Sequence, residues 1–242
     1  MTTTAVPVME KVKYKKRALD LVNNLSLMNP KLKITKTDDE EHIYINGVNE
    51  DTSVSYQFKV PVGSFDFEGD EIAFHDFSHF YEFYSVLENA EITMDDEKFE
   101  MKSGKSKITF FLSDPEIVEE TFDDVDFEDP DYKFNISSSQ LKHIQKMVNL
   151  TGAEKLVLSV ADETVTLKLA KEDKDNFYET DFETSESNGE EFSLSFKKTL
   201  WDHAPDGDYT VSVKEDSGVI QFSLQNETDV SLDLYSGEIE ED

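Results

Sequence analysis

The sequence predicts an α+β fold of two similar domains, each with two short helices packed on antiparallel sheets. Three observations carry this reading. Helix-like segments begin near residues 14, 76, 138 and 195, at intervals of 62, 62 and 57 residues. Short runs with strand alternation lie between them and outnumber the helices. Only 9 glycines occur, and none forms the Gly-rich crossover loop of a doubly wound parallel sheet. A period of roughly 60 residues nested in one of roughly 120 is the mark of a duplicated architecture.

The first helix is expected over 14–27. Tyr14, Ala18, Leu21 and Leu25 share one stripe, Lys13, Lys16 and Arg17 lie on the far side, and Asn29-Pro30 ends it. Strand-like runs follow at 31–35, 42–47, 53–61 and 72–74. The second helix, 76–87, is capped by Asp76 or Ser78, and its Phe77, Phe80, Tyr81 and Tyr84 read as core. It holds no Lys or Arg, only His79. Runs at 90–94, 98–102 and 107–112 close the first domain, with Ser103-Gly104 as a turn.

Residues 114–131 break the pattern. Ten of these 18 are acidic, none is basic, and Pro115 and Pro130 flank them. This is the composition of an exposed connector, so the domains are 1–113 and 132–242 with 114–131 between. Ile117, Val118, Phe122, Val125 and Phe127 punctuate it, as anchors onto the domains or as a docking edge.

The second domain opens with a strand at 134–136 and a helix at 137–149, SSSQLKHIQKMVN. Ser137 and Gln140 have capping-box spacing. Leu141, Ile144 and Val148 form one stripe, and Lys142, His143 and Lys146 lie opposite. No acid occurs from Ser137 to Gly152, although 54 of the 242 residues are Asp or Glu. Strands are expected at 155–160, 164–169 and 177–184, a polar loop at 186–190, and a short helix at 195–203. Strands at 209–214, 219–224 and 230–235 precede an acidic tail.

The net charge of −31 argues against nucleic acid in general. Its distribution qualifies that. Residues 1–36 carry eight basic and two acidic side chains, +6, while the others sum to −37. Solubility or a salty environment is the plain account of the acid excess. A surface that repels DNA except where contact is wanted is the sharper one.

Catalytic chemistry finds no support. The five His have no ligand spacing, there is no G-x-S-x-G elbow, and without cysteine there is no thiolate site or disulfide. The chain is therefore expected not to be an enzyme and to need no cofactor, metal or small-molecule substrate. No apolar run approaches the ~20 residues of a membrane span, and the N-terminus lacks signal-peptide order, so a cytoplasmic location is expected.

Four stretches resemble a known family. FNISSSQLKHIQKMVNLTGAEKLVLSV (134–160), FSLSFKKTLWDHAPDGDYTVSV (192–213), AEITMDDEKFEMKSGKSKITFFLSDP (90–115) and the terminal LYSGEIEED are similar to DNA polymerase sliding clamps. The likeness is to the T-even bacteriophage type and, more distantly, to proliferating cell nuclear antigen. The resemblance implies the DNA clamp fold and a homotrimeric ring that encircles duplex DNA without regard to sequence. Such a ring tethers the replicative polymerase for processivity and is placed by a clamp loader; if the protein is viral, it acts in the host cytoplasm. The DNA-facing residues are then Lys13, Lys16 and Arg17 on the first helix, Lys142, His143 and Lys146 on the third, and Lys197 and Lys198 near the fourth. Lys11 and Lys15 are second-tier choices. The same resemblance pairs strand 107–112 with strand 177–184 of the next subunit, placing Phe110, Phe111, Phe177, Tyr178 and Phe182 at the subunit interface. It also implies a partner-docking pocket from His42, Ile43, Ile117, Val118, Phe122, Pro205, Leu234 and Tyr235. Two rivals stand beside it. An acidic DNA mimic or protein-interaction module suits the total charge but not the segregated lysines. A secreted β-rich binding module suits neither the missing signal nor the absent cysteines.

Overall fold

The computed structural model describes residues 10–11, 16–37, 41–65, 67, 69–87, 90–95, 97–118, 127–161, 164–171, 177–225 and 230–239. The chain divides into two compact units. The first comprises 1–47 and 58–121, the second 48–57 and 122–242.

The elements of the first half are β1 (Glu10–Lys11), α1 (Lys16–Ser26), β2 (Leu32–Lys36), β3 (His42–Val48), β4 (Val54–Pro61), β5 (Glu71–Phe74), α2 (Phe77–Val86), β6 (Glu91–Met94), β7 (Lys98–Ser103) and β8 (Ser106–Phe111). The second half repeats that order: β9 (Tyr132–Ile136), α3 (Ser138–Thr151), β10 (Lys155–Ala161), β11 (Thr164–Ala170), β12 (Phe177–Ser187), β13 (Phe192–Lys197), α4 (Thr199–His203), β14 (Tyr209–Lys214), β15 (Val219–Leu224) and β16 (Ser231–Gly237). As described, the helices begin at Lys16, Phe77, Ser138 and Thr199, each 61 residues after the last. The last two intervals are equal, where the sequence reading has 62 and 57. The difference comes from the last helix, because 195–197 belong to β13.

Strand order makes the duplication explicit. The first unit has the run β1-β6-β7-β8 and, separately, β5-β2-β3-β4; the second has β9-β14-β15-β16 and β13-β10-β11-β12. Every pairing with an assigned register is antiparallel. One join has no counterpart among the described residues of the first unit. β12 runs past the expected end at Thr184 to Ser187, and a register shift between Thr184 and Glu186 lets it pair with β9. A bulge of this kind bends a strand from one partner to the next, which is why the polar 186–187 reads as loop in sequence yet is strand.

Packing follows the alternation. In the first unit Phe74, Phe77, Phe80 and Phe99 are fully buried, with Phe74 stacked on Phe99 at 5.8 Å and edge-on to Phe80 at 5.1 Å. The second helix therefore spends Phe77 and Phe80 on the core, as its sequence suggests, while Tyr81 and Tyr84, expected there too, are half-buried. In the second unit Trp201 is fully buried edge-on to Phe222 at 4.7 Å. Aromatic pairs of this geometry add about 0.5–1.5 kcal/mol to the burial of their area.

Helix α3 has both ends built in. Ser137 and Gln140 form the reciprocal capping box, and Gly152 closes the helix at φ 66°, its N–H donating to the Val148 carbonyl. A Cβ at that left-handed position costs roughly 1–2 kcal/mol, so glycine suits it. Leu141, Ile144 and Val148 are buried beneath.

The 48–57 hairpin tip belongs to the second unit because its bonds are made there. Asp51 pairs with Lys197 at 3.0 Å, the Ser236 hydroxyl donates to the Ser53 carbonyl, and the Tyr235 hydroxyl donates to Gln57. The end of the connector is anchored in the same unit. The Phe127 ring lies 6.2 Å from Tyr235, and Lys214 Nζ donates to the Glu128 carbonyl. Val118, at the connector's start, is buried in the first unit, so both apolar residues act as anchors; Phe122 and Val125 lie outside the described residues.

Candidate nucleic-acid interface

Two helices carry basic faces, each backed by its own unit. On α1, Ala18, Leu21, Val22 and Leu25 are buried, which leaves Lys16 exposed and Arg17 half-buried. Asp20 intrudes on this face, but the Tyr81 hydroxyl from α2 donates to it at 2.5 Å. Burial first, then the Asp20 carboxylate, push the Tyr81 phenol up to about 12. Lys13 and Lys15 lie outside the described residues, as does the Lys11 side chain.

On α3, Lys142, His143 and Lys146 are all exposed, opposite the buried stripe. The three differ in what holds them. Lys142 Nζ lies 2.6 Å from Asp206, which also accepts from the Ser138 hydroxyl. Asp208 accepts from the Ser138 backbone N–H at 2.7 Å, so the loop after α4 fastens the start of α3. His143 meets the Tyr178 ring edge-on at 5.5 Å. Lys146 has no ion pair among the described residues. An exposed pair such as Lys142–Asp206 is worth about 0–1 kcal/mol, so a phosphate can displace the carboxylate.

The two lysines near α4 are occupied. Lys197 holds Asp51, whose carboxyl is kept well below the usual carboxylate range, first by the Ser53 hydroxyl and then by Lys197. Lys198 pairs with Asp202 one turn on, at 3.1 Å. Lys197 thus ties down the 48–57 tip, through an exposed pair of the same kind as Lys142–Asp206.

The expected interface residues divide by strand face. On β8, Phe111 is 68% exposed, while Phe110 turns inward against Phe74 and Phe80. On β12, Phe177 is 57% exposed, Tyr178 is half-buried, and Phe182 is buried against Phe134 at 5.1 Å. Phe182 is a core residue of its own unit and Phe110 is half-buried on the inward face, because successive strand residues face opposite ways. Each of the two strands keeps an open edge among the described residues. β8 pairs only with β7, and residues 177–183 of β12 pair only with β11.

Most of the residues expected at the docking pocket are buried, each within its own unit. Ile43 and Leu234 are 2% and 0% exposed, and Val118, Pro205 and Tyr235 are buried as well. Alternation turns Ile43 and Leu234 inward, Tyr235 lies under Phe127, and the Pro205 carbonyl accepts from the Tyr209 hydroxyl. Ile117 is 71% exposed, His42 is half-buried with an unpartnered Nδ1, and Phe122 lies outside the described residues.

Sequence reasoning passed over two features of these surfaces. One is the Asp206–Asp208 fastening of α3, which spans 64 residues or more and leaves no local signal. The other is the basic β7–β8 hairpin, Lys102, Lys105 and Lys107, whose clustering in so acidic a chain was readable. Lys107 and Lys102 both reach Glu100, at 2.5 and 3.1 Å, and their hydrogen bonds hold its carboxyl below the ordinary value.

No family model and no curated protein matches the sequence. Solved structures do match the fold. PCNA from A. fulgidus, in a structure with the C-terminal region of FEN-1, aligns with a TM-score of 0.75 at 10% identity, covering 97% of this chain and 100% of that one. The proliferating cellular nuclear antigen of Entamoeba histolytica aligns at 0.73 and 14% identity, with 97% and 100% covered. A PCNA2–PCNA3 complex from Sulfolobus tokodaii aligns at 0.69 and 10% identity, with 94% and 98% covered. The chain has the α+β DNA clamp fold over nearly its whole length.

Proposed function

We propose that this clamp-fold chain is a sliding clamp: three copies close into a ring around duplex DNA and tether a polymerase, with no reaction of their own. The observation that carries the reading is the pattern of charge on the fold. In a protein of net charge −31, the exposed faces of α1 and α3 carry Lys16, Lys142, His143 and Lys146. Those are the faces a pore turns inward, and an acidic exterior then repels DNA from everywhere else. The hold is topological, so a few weak phosphate contacts suffice and sliding is unhindered.

The internal duplication supports closure. β16 is followed in strand order by β4, whose 54–57 half lies in the second unit. The equivalents of β16 and β4 in the repeat are β8 and β12, and each of these keeps an open edge among the described residues. Joining β8 of one copy to β12 of the next repeats a pairing the chain already makes, and the contact is head-to-tail, as a ring needs. It also covers Phe111 and Phe177, which as bare edge residues invite aggregation. Binding of a FEN-1 tail and a complex between two clamp chains belong to the archaeal proteins named above; tail-bearing replication partners and self-association are read onto this chain by likeness of fold. A clamp loader, cytoplasmic action and the T-even phage affiliation rest on the sequence resemblance.

The mass in solution tests the assembly. Light scattering at micromolar concentration is expected to give three times 27.7 kDa, about 83 kDa. A persistent 27.7 kDa species rejects the ring.

A further inference from the structure

The open edges of β8 and β12 carry opposite charges. On β8 the outward residues are the odd ones, Lys107, Thr109 and Phe111, all exposed, and Lys105 is exposed in the turn before them. Lys102 and Lys107 share the single Glu100 carboxylate, so the hairpin keeps a positive excess. On β12 the outward residues are again the odd ones: Phe177, Glu179, Asp181 and Glu183, all exposed. No ion pair reaches these three acids among the described residues. Lys168 faces Glu179 across the ladder, but its ammonium lies over the Phe177 ring at 4.7 Å. Asp181 accepts only a neutral hydroxyl, from Thr166.

We propose that β8 and β12 of neighbouring copies are keyed by charge, in an antiparallel register with Phe111 opposite Phe177, Lys107 opposite Asp181 and Lys105 beside Glu183. The inference deepens the ring reading and rests on it. Continuing a sheet keeps outward residues outward, so odd positions meet odd positions, and neighbouring registers differ by two residues. A slip of two in one direction sets Phe111 against Glu179 and leaves Phe177 uncovered. A slip of two the other way sets Thr109 against Phe177 with Lys107 opposite Glu179, so the acidic row attracts the lysines in each odd register and the phenyl pair fixes which one is taken.

The same charges exclude wrong assemblies. A β12–β12 contact sets two acidic rows face to face, and a β8–β8 contact sets lysine against lysine; like charges directly opposite destabilise a sheet pair. Only the β8–β12 contact is attractive, which is the one that closes a ring. Because these side chains are exposed, salt screens the key, and association weakens as ionic strength rises past the range where the Debye length falls below about 8 Å.

The test is a charge swap read by sedimentation or light scattering. Lys105→Glu with Lys107→Glu, and separately Asp181→Lys with Glu183→Lys, are each expected to weaken subunit association by at least about tenfold at low salt. The four changes together are expected to restore it to within about threefold. Restoration depends on opposite signs meeting across the contact, so a merely misfolded double variant does not recover in the quadruple one. A quadruple variant no better associated than either double, or doubles that stay fully associated at low salt, overturns the keying while leaving the ring intact. A wild-type chain that is monomeric rejects the ring reading itself.

Discussion

Phe111→Asp combined with Phe177→Asp is expected to lower the mass in solution from about 83 kDa to that of the 27.7 kDa subunit. The two rings are 68% and 57% exposed in the single chain, so the subunit's own core does not depend on them. Outward substitutions at such sites usually change stability by no more than about 0.5 kcal/mol, and the thermal midpoint of the variant should stay near that of the wild type. Each contact between copies loses the cover that two partly exposed phenyl groups gain, at most about 2–4 kcal/mol for the pair. That is at most roughly thirtyfold to several-hundredfold in association, before the repulsion of two facing carboxylates is counted. A variant of unchanged mass would place the subunit contact elsewhere.

Lys142→Glu combined with Lys146→Glu is expected to do the opposite: the mass stays at the trimer value while the polymerase's product lengths shorten. Both side chains are exposed on the face of α3 opposite its buried stripe, so neither supports the fold. Lys142→Glu does set a carboxylate against Asp206, which fastens Ser138. An exposed contact of that kind is worth at most about 1 kcal/mol, and Lys146→Glu, which breaks no ion pair, serves as the control. Each reversal changes the charge by two units per copy, and a ring repeats it in every subunit. Binding of the variant to duplex should also depend less steeply on salt, because fewer counterions are released. Unchanged product lengths together with an unchanged salt slope would remove α3 from the DNA path.

Much of this was legible in the sequence where physical signals are local. The capping box at Ser137 and Gln140, the Asp76 cap, and the stripes Leu141–Ile144–Val148 and Ala18–Leu21–Leu25 identify helices and their outward faces without any tertiary information. The fourth helix was harder, because Ser195, Phe196 and Lys197 alternate as a strand and also continue toward a helix; pairing with β10 decides for strand. Which lysines are free was only half legible. Lys198 and Asp202 stand one helical turn apart and could be paired by counting. The Lys142–Asp206 and Lys197–Asp51 pairs join distant segments and could not. The burial of residues named for a docking pocket was illegible for a related reason. Apolar residues such as Ile43 and Leu234 look the same in sequence whether they line a surface cleft or fill a core, and alternation put them in the core.

The most direct measurement is retention on DNA of different topology. Subunits dissociated by dilution, mixed with a nicked circular duplex and then concentrated, should close around it. They should stay on the circle through gel filtration in moderate salt and leave once a restriction enzyme cuts it. Equal retention on the circular and the linear duplex, or equal loss from both, would contradict a ring that holds DNA by enclosing it.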